Sequence, residues 1–273
     1  MIEPGIPLHF QKSYPSVLLI GGHDPSGGAG IIADAQAALA MRAWPLTLVT
    51  CLTAQNTERF DSLMPQSPVD FLRQLDLLLQ DFQPAAVKLG VLGNLALQKE
   101  ITHWLKQAQL PLVIDPVMAS GSGTGLLESR EQLHHLRDQL LPLAQVVTPN
   151  IPELAQLAPQ HAEVDAQAKA ILKSGCRAVL VTGTHAPTRT VKNLLYRQGT
   201  SQVMTSRWTR LEGEYHGSGC TLAAALAALL ARGEALDQAV TQAQDFTWHS
   251  LEQGVQLTQG QKLPLRTTDF FND

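Results

Sequence analysis

Short apolar runs alternate along the chain with longer stretches in which apolar positions recur every three or four residues. Ser16–Ile20, Leu46–Leu52, Ala85–Leu89, Leu112–Ile114, Val146–Thr148 and Ala178–Thr182 are of the first kind and predict strands. Gly30–Met41, Val69–Gln80, Leu95–Gln107, Ser129–Leu140, Ile151–Ala158, Ala166–Lys173, Ser218–Arg232 and Leu236–His249 predict helices. Val69–Gln80 places Phe71, Leu72, Leu75, Leu78 and Leu79 at helical spacing. Val191–Tyr196 and Gln202–Trp208 flank Gln198-Gly199 and predict an antiparallel hairpin. The strand runs are apolar throughout, as strands buried on both faces are. Alternation of such strands with helices implies an α/β fold, a mostly parallel central sheet covered on both sides. No internal repeat, low-complexity tract or linker breaks the pattern. Residues 16–273 are therefore expected to form a single domain behind a leader, residues 1–15, that carries three prolines.

Composition narrows the function classes. The 273 residues are 44% apolar and 16% charged, enough apolar material for a sizeable core and too little charge for a disordered chain. A net charge of −4 disfavours general nucleic-acid binding, although backbone amides can still build a local anion site. The longest apolar run, Leu222–Ala231, is about half a membrane span, so no membrane role is expected. Cys51, Cys176 and Cys220 lie far apart without metal-ligand spacing, which argues against zinc and for a reducing compartment. The first residues lack the pattern of a signal peptide, and a cytoplasmic location follows as the expectation.

Open parallel sheets bind ligands outside the carboxyl ends of their strands, so polar and glycine-rich residues placed there carry the chemistry. Gly217-Ser218-Gly219-Cys220 precedes a strong helix former, Thr221-Leu222-Ala223-Ala224-Ala225. Two glycines let consecutive N–H groups point outward at a helix N-terminus, a geometry that holds a phosphoryl group. Cys220 then sits where the helix dipole is expected to lower a thiol pKa. An ordinary glycine turn beside a buried cysteine fits the same letters. Gly21–Gly30 (GGHDPSGGAG) has five glycines in ten residues, which implies close approach of backbone to a ligand, or a pliant strand–helix loop. It is not GxGxxG, and no P-loop, GxSxG or HExxH occurs. Asp115 and Glu153 both follow strands and suit Mg²⁺ beside phosphates. Asn150 and Glu153 equally spell a helix-capping box. Gln55, in Gln55-Asn56-Thr57, offers an amide to a heterocycle edge. His23 and His216 flank the two glycine segments, in reach of a phosphate or simply as loop histidines.

Together these segments resemble the ribokinase-like superfamily, and within it the hydroxymethylpyrimidine and phosphomethylpyrimidine kinase branch of thiamine biosynthesis. The stretches that carry the resemblance are GGHDPSGGAGIIAD (21–34), LTAQNT (52–57), VKLGVLGN (87–94), VIDPVMASGSGTGLL (113–127), VVTPNIPELAQL (146–157), AVLVTGTH (178–185) and HGSGCTLAAALAALLARG (216–233). The resemblance implies a three-layer α/β/α sandwich, often a homodimer. It also implies transfer of the ATP γ-phosphate to a hydroxymethylpyrimidine or its monophosphate, with Mg²⁺. By position it makes Gly217, Ser218, Gly219 and Cys220 the anion hole, with Cys220 as the residue that takes the hydroxyl proton. Gln55 would meet the aminopyrimidine edge, and Gly22, Asp34, Thr53, Val91 and Val117 would shape that pocket. Asp115, Asn150 and Glu153 would support Mg²⁺ and phosphates. Thr182, Gly183, His216 and the 205–215 segment would lie near ATP. The chain departs from the pattern where Thr182-Gly183-Thr184-His185 replaces Lys-Gly-Gly-His, Ser120-Gly121-Ser122-Gly123 replaces Lys-Ser-Gly-Asp, and Tyr215 replaces a threonine. Lys192 or Arg189 is then the substitute cation. Pyridoxal kinase activity and a non-catalytic pyrimidine-binding role are the alternatives.

Overall fold

A computed structural model describes residues 14–119, 125–126, 129–184 and 188–267. Most of the leader, the Ser120–Gly123 motif position and His185 lie outside the described residues. The strands are β1 (Ser16–His23), β2 (Trp44–Gln55), β3 (Phe60–Pro65), β4 (Ala86–Leu89), β5 (Leu112–Ile114), β6 (Val146–Val147), β7 (Ala178–Val181), β8 (Thr190–Arg197) and β9 (Met204–Thr209). The helices are α1 (Gly30–Ala40), α2 (Pro68–Asp81), α3 (Leu95–Ala108), α4 (Arg130–His135), α5 (Ile151–Leu157), α6 (Val164–Lys173), α7 (Ser218–Ala231) and α8 (Leu236–Glu252). All nine strands join one sheet in the order β3-β2-β1-β4-β5-β6-β7-β8-β9. Neighbours from β2 to β7 run parallel, and β3, β8 and β9 are antiparallel additions at the two edges.

Successive strand residues feed opposite faces, which is why the strands are apolar throughout. Leu18 and Ile20 of β1 join the core under α2, α3, α5 and α6, where Phe71, Leu75, Leu97, Ile101, Leu154 and Ile171 pack. Val17 and Leu19 point the other way, into a core built from α1, α7 and α8. Every residue from Leu222 to Ala231 is buried, because α7 lies between the sheet and its two neighbouring helices. Its alanines, with Ala37 and Ala38 of α1, allow that close packing. Among the described residues no helix is long and apolar enough to cross a membrane.

Three differences from the sequence-based expectation have local causes. The 129–140 helix is α-helical only to His135, then widens into a π-turn over Leu136–Leu140 and tightens over Leu141–Leu143. Pro142 has no N–H to continue the ladder, and the helix loosens ahead of it. Strand β3 was not expected; it is an exposed edge strand that ends in proline, and such strands leave no apolar alternation in the sequence. Finally, β1 continues to His23 and β2 to Gln55. Gly21, Gly22, Thr53 and Gln55 are therefore strand residues rather than loop residues, held by the β1–β2 and β2–β3 ladders.

Candidate active site

A cavity of about 650 Å³ opens at the carboxyl ends of the parallel strands. It gathers Gly22, Thr53, Gln55, Val91, Asp115, Val117, Asn150, Glu153, Thr182, His216, Gly217, Ser218, Gly219 and Cys220 on one wall system. These residues come from strand ends and turns separated by up to nearly 200 positions, brought together because every parallel strand ends at the same edge. Asp34 and Gly183 lie behind the wall instead. Asp34 is fully buried beneath the floor, and the Gly183 N–H is donated to Asn193 Oδ1 at 3.0 Å.

The glycine loop and the head of α7 are built against each other. Gly217 has φ +79°, and a Cβ there would meet the Gly28 carbonyl at 2.0 Å; Gly30 has φ +60°, and a Cβ would meet the Gly22 carbonyl at 2.4 Å. Only glycine fits either position. Asp24 organises the loop by accepting from the Ser26 N–H, the Ser26 hydroxyl and the Ala29 N–H, each at 2.9 Å. It also contacts His216 Nε2 at 2.8 Å, which ties the loop to the turn that starts α7. Burial opposes the Asp24 charge, but the hydrogen bonds from His216 and Ser26 hold its carboxyl below the usual range. From the C-terminal side, Arg266 Nε donates to Thr221 Oγ1 at 2.7 Å and its guanidinium also reaches the Gly28 carbonyl. No side chain caps α7, so the amides of its first turn, among cavity-lining residues, remain available to an anion. By contrast Ser67, Asn94, Ser129 and Asn150 cap α2, α3, α4 and α5.

The floor carries an ion pair that the motif reading passed over. Lys88, 1% exposed, donates to both oxygens of the fully buried Asp34 at 2.7 and 2.9 Å. Burial works against the ammonium, but the charges of Asp34, Cys220 and Asp115 outweigh it and push the Lys88 pKa up. The signal was present in the sequence: a lone lysine in the apolar strand AVKL must have a buried partner.

Cys220 reverses an expectation. Its thiol is pushed up to about 12, chiefly by burial and also by the Asp34 and Asp115 carboxylates, against Lys88 and an N–H from Gly30. The helix N-terminus does not overcome these effects, so the resting side chain is a thiol, hydrogen-bonded to Asp115. In protein stripped of divalent ions and nucleotide, alkylation of Cys220 by iodoacetamide is expected to accelerate about tenfold per pH unit from pH 7 to 10. Peptide mass spectrometry checks this; levelling off from about pH 9 would mean an ordinary thiol, and a plateau by pH 8 an activated one.

Asp115 is raised by burial. Glu153 is pushed up to about 8 by burial and by the neighbouring Asp115 charge. Glu153 also completes the capping box, accepting from the Asn150 N–H at 2.9 Å while Asn150 Oδ1 accepts from the Glu153 N–H at 2.9 Å. The structural cap thus forms, and Glu153 also lines the cavity wall. No cluster of three or more His, Cys, Asp or Glu forms a metal cage among the described residues. Two hard oxygen donors in mutual repulsion nevertheless fit Mg²⁺, which takes one or two carboxylates and completes its shell with phosphates and water.

The wall that carries Gln55 is ordered by a relay. Gln55 Nε2 donates to Thr53 Oγ1 at 2.9 Å, and Thr53 Oγ1 donates to the His23 carbonyl at 2.8 Å. The opposite wall comes from β9 and α8. Trp208 and Trp248 stack with ring centres 6.2 Å apart, and Trp248 Nε1 donates to the Thr209 carbonyl at 2.9 Å. A buried amide pair supports them, with Asn193 Nδ2 donating to Gln244 Oε1 at 2.8 Å. Trp208 and Arg210, from the 205–215 segment, line this wall, as does Trp248 of α8, which the sequence reading did not single out.

Fold and site together define a ribokinase-like phosphotransferase. The phosphomethylpyrimidine kinase family model matches residues 24–265. The chain belongs to that family. It is 34% identical over 249 residues to the hydroxymethylpyrimidine/phosphomethylpyrimidine kinase of Rhizobium meliloti, covering 89% of this chain and 93% of the relative. The enzyme of the same name from Escherichia coli is 34% identical over 251 residues, covering 90% and 94%. Among solved structures, an ADP complex of Bacillus subtilis pyridoxal kinase superposes with a TM-score of 0.84 at 29% identity, covering 92% and 97%. Phosphomethylpyrimidine kinase from Clostridium difficile superposes at 0.73 with 30% identity, covering 86% and 97%.

Proposed function

We propose that the protein transfers the γ-phosphate of ATP to 4-amino-5-hydroxymethyl-2-methylpyrimidine, or to its monophosphate, as a step of thiamine biosynthesis. The observation that carries this reading is the uncapped head of α7 opening into the cavity that Gln55 also lines. Phosphoryl transfer needs positioning and charge neutralisation more than covalent chemistry. The amides of Ser218, Gly219 and Cys220 stabilise the equatorial oxygens of the phosphoryl group in flight. Gln55, oriented by Thr53, accepts from the amino group of the pyrimidine, and Gly22, Val91 and Val117 close around the ring. Thr182 and His216 line the nucleotide side, with the base against Trp208 and Trp248. Asp115 and Glu153 would hold Mg²⁺, with Asn150 beside them, and the ion would supply positive charge to the phosphate oxygens. The acceptor hydroxyl grows acidic as its oxygen bonds to phosphorus, and its proton passes to Cys220 Sγ as the thiol hands its own proton to the Asp115 carboxylate it is hydrogen-bonded to. Asp34 acts through Lys88 and Gly183 through Asn193, neither touching substrate. In the same reading residues 16–273 are one domain of a cytoplasmic homodimer. Exposed Trp44 of β2, and the paired Leu52 and Met64 of β2 and β3, offer apolar surface for that contact.

The decisive experiment is a side-by-side rate measurement on the aminopyrimidine alcohol, its monophosphate and pyridoxal, following ADP release. A second reading, pyridoxal phosphorylation, is favoured by the superposition on Bacillus subtilis pyridoxal kinase, 0.84 against 0.73. Faster turnover of pyridoxal would install it; pyrimidine binding without ADP formation would remove both. Gln55→Ala is expected to weaken pyrimidine binding about tenfold, because it leaves the amino group unpaired. ATP affinity should stay unchanged in calorimetry, and an equal loss for ATP would take Gln55 out of its role.

A further inference from the structure

The chain returns to the site after α8. The Lys262 carbonyl accepts the His216 N–H at 2.9 Å, and the Lys262 N–H is donated to the Glu214 carbonyl at 2.8 Å, so this segment runs beside the turn that starts α7. Arg266 follows, 6% exposed, with its guanidinium between the glycine loop, α1 and α7. Nη1 donates to Gln36 Oε1 at 3.1 Å, Nη2 to the Gly28 carbonyl, and Nε to Thr221 Oγ1 at 2.7 Å. Thr221 is fully buried, and its hydroxyl donates in turn to the Gly217 carbonyl at 2.8 Å. That carbonyl belongs to the peptide unit whose other end is the Ser218 N–H, the first amide of α7. A relay from Arg266 through Thr221 to Gly217 therefore ends, across one planar peptide, on the amide of a cavity-lining residue. Packing alone does not call for a guanidinium here, because burying a cation is costly and burial pulls the Arg266 pKa down.

We infer that Arg266 is a positioning residue for phosphoryl transfer, which through Thr221 fixes and polarises the Gly217–Ser218 peptide. The inference rests on the kinase reading for the identity of the anion that this peptide meets. A hydrogen bond donated to a peptide carbonyl draws electron density from the amide at its other end and makes that N–H a stronger donor, as in any chain of hydrogen bonds. The Gly28 carbonyl is also the atom that a Cβ at Gly217 would strike at 2.0 Å, so one guanidinium holds both sides of that close approach. Neither Arg266 nor Thr221 lines the cavity, and both act through the backbone that does.

The test is steady-state kinetics with MgATP and the pyrimidine alcohol on the wild type, Arg266→Gln, Thr221→Val, Thr221→Ser and the double variant Arg266→Gln/Thr221→Val, after thermal unfolding has established that each is folded. Arg266→Gln and Thr221→Val are each expected to lower kcat about ten- to hundredfold, with KM for the alcohol within about twofold of wild type, because a weakened oxyanion donor costs the transition state more than the ground state. The double variant should be about as slow as the slower single one, since both substitutions cut the same relay. Thr221→Ser keeps the hydroxyl and should regain most of what Thr221→Val loses. Should Arg266→Gln fail to fold, the valine and serine variants at Thr221 decide the matter. Wild-type kcat in the folded variants, losses that multiply in the double variant, a serine variant as slow as the valine one, or kcat and KM worsening together would make Arg266 a packing residue and overturn the inference. Failure of the kinase reading looks different: the wild type itself releases no ADP with any pyrimidine substrate. The readout is then the ¹⁵N-amide signal of Ser218 during titration with inorganic phosphate. A shift in the wild type that Thr221→Val abolishes upholds the inference, and no shift, or an equal shift in both, overturns it.

Discussion

Cys220→Ala is expected to lower kcat by about two to four orders of magnitude and to leave the affinity for the pyrimidine alcohol nearly unchanged. The substitution removes a proton acceptor used as the new P–O bond forms. It keeps the amides of α7, Gln55 and the nucleotide wall. Steady-state kinetics gives kcat, and calorimetry with the alcohol gives the ground-state affinity. A variant that turns over at the wild-type rate would strip Cys220 of its part in the chemistry. A variant that loses affinity and turnover equally would make the thiol a packing residue, since it lies half-buried against Asp115 and the Gly30 N–H.

Lys88→Met is expected to destabilise the fold by about 3–5 kcal/mol, the usual consequence of leaving one member of a buried ion pair without its partner. Asp34 is fully buried, and Lys88 Nζ donates to both of its oxygens at 2.7 and 2.9 Å. With the ammonium gone, Asp34 keeps its burial and the repulsion of Asp115 and loses its ion-pair partner. Denaturant unfolding of the single variant and of Lys88→Met with Asp34→Leu checks the claim. The double variant should recover much of the loss, because two apolar side chains replace two complementary charges. If the single variant unfolds at the wild-type midpoint, the pair contributes little. If the double variant is no better than the single one, the lysine stem and its packing matter more than its charge.

The difference between these two residues illustrates what a sequence makes legible. Cys220 was found by its neighbours: two glycines ahead of an alanine-rich helix announce an open helix terminus, a local property. The protonation of its thiol was misread for the same reason. The helix dipole is local, but the burial of the sulfur and the carboxylates of Asp34 and Asp115, from α1 and the end of β5, come from far away in the chain. Asn150 and Glu153 form a capping box within four residues, so their geometry was readable in full. Gln55 was placed at the right edge but in the wrong element, because the edge strand that extends β2 has no buried face to mark it.

The order of strands and helices, the two-faced burial of the sheet and the positions of the turns at its carboxyl edge were determined by the sequence alone, since periodicity and glycine placement act over a few residues. Tertiary structure decided what those turns do to one another. It put Lys88 under the cavity, set Arg210 rather than Lys192 or Arg189 on its wall, paired Trp208 with Trp248, and kept the Cys220 sulfur protonated. The physical reason is range. Hydrogen bonding and backbone preference are settled among neighbours in the chain, whereas desolvation and Coulomb energy depend on every group that folding brings within a few ångströms.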